Sequence, residues 1–499
     1  MTNLTYPDGH HITQAWDGAG HLASSQLIDI NGTSVSQSYL QSSSYFPDGS
    51  PQVMTLGNGV QQIIGKNKRF QIQSMVASTP LAPFNSQLFL SHTYCYVNCA
   101  TGGIKDNGNI WGVTDTLNTS QTQGFTYDNL DRINSFSMGG TVSQQFRIDS
   151  FGNMSPMAGA NPLYQFDPAT NRINNLPCAM YATPFDVAGN QTCDTDPNGA
   201  TRSYTYDGES RIGGITMTGS SQPFETYVYD VDGSRARKSN ADGSFTEYVY
   251  FGGQPIAEHH SDGTWTDYIY ANGQQIARSE GYDQRIHLHG TLCSGCTGSS
   301  AWDLPISGYT VKASDKISWR QYQSATAQGG IGIVFTDGTY SNWNTYDNDG
   351  QVMNFDQTHQ SWHLRTVDLS AFAGKTVGAL WINTESPSAS GDWDEWFADI
   401  SIYSTDGTVT PIYHRQSAIS MSFFGSGSTN LSATVERSSA PTDAAVPGTT
   451  FYVRDQLGSA SMEFAGGGWP VWQEHYTPFG EEISTQFTAN NYKFTGKER

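Results

Sequence analysis

The stretch from Tyr204 to Arg278 repeats one short unit several times. Each unit has two or three alternating aromatic or β-branched residues, then Asp or Asn, then one to three residues ending in Gly. Alternation such as Tyr227-Val228-Tyr229 predicts a strand with one buried face. Asp-Gly, Asn-Gly and Gly-Gly supply the positive φ of a tight turn. Each unit is therefore predicted to be a β-hairpin, and because a lone hairpin is only marginally stable in water, the hairpins must stack.

The same alternation of short strands and turns extends over most of the chain. It starts in LTYPDGHHI and AWDGAGHLAS, resumes at GFTYDNLDRINSF after a less regular segment at 76–112, and returns after residue 449 in TTFYVRDQLGSASMEF. No helical period of useful length appears. The predicted fold class is all-β, with a spiralling strip of hairpins that forms a shell or barrel.

The repeated Tyr and Asp residues are predicted to be structural. Tyr side chains on a half-buried strand stack on neighbouring hairpins and supply apolar burial. An Asp that precedes Gly by one to three positions, such as Asp207, Asp230 or Asp262, caps backbone N–H groups of its turn. Neither residue type is therefore expected to be catalytic here.

The sequence pattern changes between residues 286 and 405, where the short repeated units stop. Longer alternating strands there carry Trp319, Trp343, Trp362, Trp381, Trp393 and Trp396. A run of about 100–125 residues is an ordinary domain size. We predict a β-sandwich inserted into the strip, and hence a repeat shell at 1–285, the inserted sandwich at 286–405 and a return to the shell at 406–499.

Charge and hydropathy exclude two classes of partner. The formal net charge is −21 and no basic cluster offsets it, which argues against nucleic acid and anionic membranes as partners. No apolar run approaches the length of a membrane span, and the first residues have no apolar signal-peptide core. We expect a secreted or cell-surface protein of bacterial type whose signal is not present in this chain.

The six cysteines fall into three local pairs, Cys95 with Cys99, Cys178 with Cys193, and Cys293 with Cys296. Such pairing predicts disulfides and an oxidising compartment. A zinc site at Cys293-x-x-Cys296 is the alternative, since His287 and His289 lie just upstream, but a single CxxC is weak evidence for zinc. Disulfides or free thiols are favoured over zinc.

Several motifs resemble the YD repeats of RHS proteins: Tyr206-Asp207, Tyr229-Asp230 with Gly233 and Arg235, and Tyr127-Asp128 with Arg132. An ordered C-terminal series is similar to the RHS repeat-associated core: Tyr452, Asp455, Leu457-Gly458-Ser459, Tyr476, Pro478-Phe479-Gly480 and Phe494 to Arg499. The resemblance covers roughly 1–280 and 406–499. It implies a β-strip that spirals into a hollow shell, as in the cocoon subunits of insecticidal toxin complexes and the barrels of teneurins.

The same resemblance implies a second property, which is not carried over. In polymorphic toxins of this family an Asp-dependent self-cleavage site at the end of the core releases a variable toxin. Here Gln456 stands where the family usually has His, and the cleavage aspartates are not in this sequence.

The 286–404 segment resembles the galactose-binding-like jelly rolls of carbohydrate-binding modules, in AGKTVGALWINT followed by DWDEWFADISIY. Sugar rings pack an apolar face on aromatic rings, and binding residues concentrate in loops. Glycan contacts are therefore predicted for Trp343, Tyr346 and Trp393, with Asn342, Asn344 and Asp392 beside them. Packing between domains is the alternative for each tryptophan.

Calcium is the one metal that the resemblance suggests for the sandwich. Asp347, Asp349, Asp394 and Asp399 supply the carboxylate oxygens that Ca²⁺ prefers. A solvated acidic loop is the alternative, because the Glu of an EF-hand loop is missing. No cofactor is expected to be required.

Catalytic motifs are scarce. GxSxG, HExxH and the P-loop are all absent from the sequence. Adjacent carboxylates such as Asp394 and Glu395 point to opposite faces of a strand and cannot cooperate. We therefore expect a non-catalytic scaffold that displays a glycan-binding jelly roll. The alternatives are a toxin-delivery shell without its toxin, a self-associating filament or surface-structure subunit, and a polysaccharide-active enzyme.

Overall fold

The computed structural model describes residues 3–79, 87–97, 106–158, 161–176, 184–195, 200–280, 283–296, 299–306, 308–341, 344–385, 388–414, 421–425, 428–438, 448–483 and 492. Its strands are joined by turns, and the helical elements among these residues are two short 3₁₀ turns, η1 (Thr119–Gln121) and η2 (Ser370–Phe372). The all-β prediction is confirmed. In the described part of the chain no helix has the length and apolarity of a bilayer-spanning segment.

The chain divides into two compact units. Unit 1 comprises residues 1–94, 114–119 and 269–499, and unit 2 comprises residues 95–113 and 120–268. Unit 1 begins with eight strands that pair antiparallel in chain order: β1 (Asn3–Thr5), β2 (His10–Trp16), β3 (Leu22–Ile30), β4 (Thr33–Tyr45), β5 (Pro51–Leu56), β6 (Gln61–Lys66), β7 (Ile72–Thr79) and β8 (Gln87–Cys95).

Unit 2 consists of short hairpins in two runs of consecutive pairing. The first run is β9 (Gly112–Asp115), β10 (Gln123–Tyr127), β11 (Ile133–Met138), β12 (Thr141–Ile148), β13 (Met154–Ala158) and β14 (Asn161–Pro162). The second is β15 (Cys193–Thr195), β16 (Thr201–Tyr206), β17 (Ile212–Met217), β18 (Glu225–Tyr229), β19 (Arg235–Asn240), β20 (Phe245–Phe251), β21 (Gln254–His260) and β22 (Trp265–Ala271).

The strip is interrupted after β23 (Gln274–Glu280) by two further sheets. Their strands are β24 (Asp283–Leu292), β25 (Ser300–Pro305), β26 (Lys316–Gln323), β27 (Gly329–Phe335), β28 (His363–Asp368), β29 (Val377–Thr384), β30 (Gly391–Tyr403), β31 (Val409–Tyr413), β32 (Ser422–Gly425) and β33 (Ser428–Ser438). One sheet has the order β28-β26-β30-β24-β33, with β31 on β30, and the other has the order β27-β29-β25-β32.

These two sheets form a β-sandwich with one shared hydrophobic core. Leu288, Trp319 and Phe397 of the larger sheet and Ile331 and Leu380 of the smaller one belong to that core and are buried. The sandwich extends to Ser438, beyond the predicted bound of 405, because β31 and β33 hydrogen-bond into the larger sheet.

The strip continues directly across the insertion. It resumes with β34 (Thr449–Arg454), β35 (Ala460–Phe464) and β36 (Pro470–Gln473). β23 pairs with β34 antiparallel, and Ala277 lies opposite Phe451. The sandwich therefore leaves and re-enters the strip between two neighbouring strands, and the sheet is not broken by it.

Each repeat Asp closes its own turn by accepting backbone hydrogen bonds. Asp207 Oδ1 accepts from the N–H groups of Glu209 at 2.9 Å and Arg211 at 3.0 Å, while Oδ2 accepts from Arg211 Nε at 2.7 Å. Ser210 in this turn has a φ of 61°, the left-handed conformation that the turn requires. The same pair of backbone bonds occurs at Asp128, Asp149, Asp230 and Asp455. The predicted capping role is confirmed.

The repeat Tyr also makes a polar contact that was not predicted. Tyr229 Oη donates to the backbone carbonyl of Ile212 on the adjacent hairpin at 2.9 Å. Four other tyrosines bond to carbonyls of the preceding hairpin at 2.5–3.1 Å, namely Tyr127, Tyr206, Tyr250 and Tyr476. The strand register shifts just before Tyr229, and this bulge precedes the capped turn. Each hairpin is therefore tied to its neighbour by a side-chain bond as well as by the backbone ladder.

Within unit 1, strands β4–β8 pack against β34–β36. Phe89 and Phe464 meet edge-on with their ring centroids 5.2 Å apart. Gln62 Nε2 donates to the carbonyl of Arg454 at 2.9 Å, and Tyr94 Oη donates to Gln456 Oε1 at 2.9 Å. Gln456, which stands where the resembled family usually has His, thus has a structural partner.

The larger sheet of the sandwich packs onto the C-terminal part of the strip. Trp469 Nε1 donates to Ser401 Oγ at 2.6 Å, and Ser401 Oγ bonds to the Pro470 carbonyl at 2.8 Å. Buried Asp399 accepts from Arg320 Nε at 2.8 Å and lies 2.7 Å from His414 Nδ1. Buried side chains on both sides make the sandwich an integral part of unit 1.

Substituting the turn aspartate tests this description of the repeat. Asp230→Ala removes the carboxylate oxygen that accepts two backbone N–H groups and should lower the free energy of unfolding by about 1 kcal/mol, since caps of this kind contribute that much. Urea unfolding followed by tryptophan fluorescence measures the loss. Asp232→Ala, at an exposed position of the same turn, is the matched control and should stay within about 0.5 kcal/mol of the parent. Equal losses would contradict the capping role.

Candidate functional sites of the inserted sandwich

The predicted glycan residues do not form one surface. Tyr346 is 52% exposed, as expected of a loop aromatic, and Asp392 is exposed and accepts a bond from Thr291 Oγ1 at 2.7 Å. Asn344 is exposed as well. Asn342 and Trp343 lie outside the described residues.

The predicted position of Trp393 in a loop is wrong. Trp393 lies in β30, is 0% exposed and belongs to the sandwich core. Its Nε1 donates to Ser428 Oγ at 3.0 Å, and a Cβ on the neighbouring Gly290 would lie 2.5 Å from its ring. The alternation of Trp393 with Phe397 places both side chains inside, because β30 has a fully buried face.

The four carboxylates proposed for calcium do not converge. Asp347 accepts from Arg365 Nε at 2.7 Å and from the backbone N–H of Asp349 at 3.0 Å. Asp394 lies against two histidines on the outer face of the larger sheet, and Asp399 binds Arg320 and His414. None of the four belongs to a described group of three ligand atoms within 4.8 Å of one another. Calcium binding by these carboxylates stays a prediction.

The cysteine pair of the sandwich is oxidised. Cys293 and Cys296 form a disulfide, which removes them as zinc ligands. Cys95 and Cys193 are also in disulfides. Their predicted partners, Cys99 and Cys178, lie outside the described residues.

A buried polar cluster inside the sandwich was not predicted. Arg365 is fully buried and bonds to Asp347 Oδ2 at 2.7 Å and to the Val352 carbonyl at 2.7 Å. Asp356, also fully buried, lies 3.9 Å from Arg365 Nε and contacts His363 Nε2. A sequence signal existed, since Arg365 alternates with Val367 on a strand with one buried face.

Glu395 faces this cluster from β30 and is fully buried. Burial raises the pKa of Glu395 well above its usual value, and the nearby carboxylates of Asp356 and Glu385 act in the same direction. A Cβ at Gly329 would lie 2.3 Å from Glu395 Oε2, so Gly at this position leaves the space that the carboxyl group occupies. Burial of Glu395 therefore disfavours its ionised form.

Asp356 shows the opposite shift. Burial raises the pKa of Asp356, but the hydrogen bond from His363 and the charge of Arg365 outweigh burial, so that the net shift is downward. The cluster thus combines one carboxylate whose ionised form is favoured, beside a guanidinium, with a carboxyl group whose ionised form is disfavoured. Because Arg365, Asp356 and Glu395 are all fully buried, they stabilise the fold of the sandwich and are not presented to a large ligand.

A second cluster lies on the outer face of the larger sheet. His287 Nε2 and His289 Nδ1 each lie 2.9 Å from the same oxygen, Asp394 Oδ1. His287 Nδ1 lies 3.0 Å from Glu436 Oε2, and Trp396 Nε1 donates to Glu436 Oε1 at 2.7 Å. The rings of His287 and Trp396 stack with centroids 4.6 Å apart and planes 9° apart. Asp394 faces outward and Glu395 inward, as predicted for adjacent strand residues.

Comparisons with known proteins give a local likeness. No protein-family profile matches the chain. A segment of 68 residues is 37% identical to the tRNA3(Ser)-specific nuclease WapA of Bacillus spizizenii and, equally, to the tRNA nuclease WapA of Bacillus subtilis strain 168. That segment is 14% of this chain and 3% of either relative.

Two solved structures that align with this chain come from toxin complexes. The Tc holotoxin pore of Photorhabdus luminescens aligns with all of this chain and 18% of its own, at 13% identity and a TM-score of 0.47. The TcdB2–TccC3 complex aligns with all of this chain and 29% of its own, at 15% identity and a TM-score of 0.21.

Breaking the buried ion pair should be costly. Arg365→Ala leaves Asp347 and Asp356 without their buried cation and should lower the free energy of unfolding by about 3–5 kcal/mol. Lys375→Ala is the control, because Lys375 pairs with Asp337 at 2.8 Å on the surface, where such a pair contributes at most about 1 kcal/mol. Chemical denaturation measures both, and similar losses would contradict the role given to Arg365.

The buried carboxyl group predicts a pH dependence. Since the folded-state pKa of Glu395 is raised, its contribution to stability is fully present below the unfolded pKa of about 4.3 and declines as pH rises toward the folded pKa. Glu395→Gln cannot ionise, so the melting temperature of the variant should increase relative to the parent between pH 5 and pH 8. A difference that does not change with pH would show that Glu395 does not titrate in this way.

Proposed function

We propose that this chain is part of the scaffold of an RHS-type toxin-delivery shell. In this proposal the sandwich is an accessory domain that packs against the hairpin strip. The single observation that carries the proposal is the pairing of β23 with β34, which continues one hairpin strip across the insertion. A hairpin strip that continues in this way is suited to forming a shell, because its strands stay hydrogen-bonded to one another and the inserted sandwich does not separate them. The YD motifs and the ordered C-terminal series add to this support.

The chain has a local likeness to two proteins named as tRNA nucleases. Because the likeness covers 3% of either relative, nuclease activity is not proposed for these residues. We propose a non-catalytic role for the described strip, whose repeat Asp and Tyr side chains are used in turn and inter-hairpin bonds. The disulfide at Cys293–Cys296 supports secretion or surface display, since structural disulfides persist in oxidising compartments.

Glycan recognition is the second candidate, and one observation favours it. Tyr340 is 55% exposed and packs against Trp381 on the smaller sheet with ring centroids 5.5 Å apart. This pair offers aromatic surface to a sugar ring. It is the weaker candidate, because buried Trp393 is unable to contribute.

A protection assay tests the shell. In this assay a small reporter is joined through a protease site after Arg499 of the full natural chain. If the shell encloses the reporter, its protease site should be cleaved at least about tenfold more slowly than that of the free reporter. The same cassette inserted between Gly252 and Gly253 is the matched control and should be cleaved at the free rate, because both glycines lie in an exposed turn. Equal cleavage of the two cassettes would overturn the shell proposal.

Glycan binding has a separate test. A polysaccharide array probed with the intact protein should show a signal that falls at least about tenfold in Tyr340→Ala if the aromatic pair binds sugar. Leu457→Ala, at an exposed apolar position in a turn of the strip, is the control and should not change the signal. No binding by the parent would remove this candidate and leave the shell proposal intact.

A further inference from the structure

We propose that the histidine cluster on the outer face of the sandwich binds one divalent transition-metal ion of the Zn²⁺ type. The ligands would be His287 Nε2, His289 Nδ1 and the carboxylate of Asp394. This inference is independent of the shell proposal, because it depends only on side chains of β24, β30 and β33.

The backbone brings these ligands together. His287 and His289 are two residues apart on β24, so their side chains point to the same face of the sheet. His289 lies directly opposite Asp394 on β30 in the antiparallel register. Both imidazoles therefore reach one carboxylate across a single strand spacing, at 2.9 Å in each case.

Carboxylate oxygens face both ring nitrogens of His287. Nδ1 lies 3.0 Å from Glu436 Oε2 and Nε2 lies 2.9 Å from Asp394 Oδ1, so both ring nitrogens face carboxylate oxygens. A doubly protonated imidazolium would donate to both oxygens. A metal ion between Nε2 and Asp394 would bind both as ligands and leave Nδ1–H to be donated to Glu436.

The groups behind His287 match those of metal-bound histidines. Ligating histidines commonly donate their other N–H to a carboxylate, which fixes the tautomer and the orientation of the ring. Glu436 is placed to accept that bond, and Trp396 Nε1 holds Glu436 through its other oxygen at 2.7 Å. The indole of Trp396 also stacks on the His287 ring and fixes its plane.

The ligand set selects the class of metal. Two imidazole nitrogens and one carboxylate suit Zn²⁺, whereas Ca²⁺ prefers an all-oxygen set. The side chains of His289 and Asp394 are 32% and 30% exposed, which leaves a fourth position open to water. In this structure the ligand atoms of His287, His289 and Asp394 are not all within 4.8 Å of one another. Metal–nitrogen bonds of about 2.0–2.1 Å therefore require the partly exposed His289 ring to turn inward.

Metal titration of the intact, untagged, oxidised protein tests the proposal. Calorimetry with Zn²⁺ and visible absorption with Co²⁺ should show one ion per chain with imidazole ligation. His289→Gln and Asp394→Asn should each weaken binding by at least about tenfold. Glu436→Gln, which alters a positioning residue, should weaken Zn²⁺ binding by about 10–100-fold.

The chain supplies a matched control in unit 2. His259 stacks on Trp265 with centroids 4.6 Å apart and lies 3.2 Å from Glu247 Oε2, but it has no second histidine two residues away on its strand. His259→Gln should leave Zn²⁺ affinity unchanged. The proposal is overturned if the parent binds Zn²⁺ no more tightly than His289→Gln, or if His259→Gln loses as much affinity. Circular dichroism of each variant separates lost binding from lost folding.

Discussion

The described structure depends on one recurring interaction, the aspartate that closes each hairpin turn. Its carboxylate accepts two backbone N–H groups of the turn, as at Asp207 and Asp230. The bulge before the turn sets the position of the preceding Tyr, whose hydroxyl bonds to a carbonyl of the previous hairpin. A hairpin that is marginal alone thereby gains a contact that only a neighbouring hairpin can provide.

This interaction explains how the chain accommodates a whole domain. Because every hairpin is closed locally and tied to the next, the strip needs only strand pairing to continue, and β23 obtains that pairing from β34. The sandwich then adds its own core and packs on the strip through the bonds of Ser401 with Trp469 and Pro470. The contacts that stabilise the hairpins are therefore different from the contacts that hold the inserted sandwich.

Charged side chains of the sandwich lie on both faces of its larger sheet. Glu395 and Arg365 lie inside, where burial raises the pKa of the Glu395 carboxyl group and Arg365 pairs with two carboxylates. Asp394, the residue beside Glu395, lies outside and meets two histidines. One strand thus carries a structural carboxyl group and a candidate metal ligand at adjacent positions, since neighbouring side chains point to opposite faces.

The sequence by itself determined the all-β class, the hairpin turns and the place where the repeat stops, because turn chemistry and strand alternation act over a few residues. Tertiary structure decided which strands meet across the insertion, and hence that the sandwich extends to Ser438. It also decided that Trp393 is core and that His287, His289, Asp394 and Glu436 share a site. Those outcomes depend on strand register between residues more than 100 positions apart, which local periodicity does not encode.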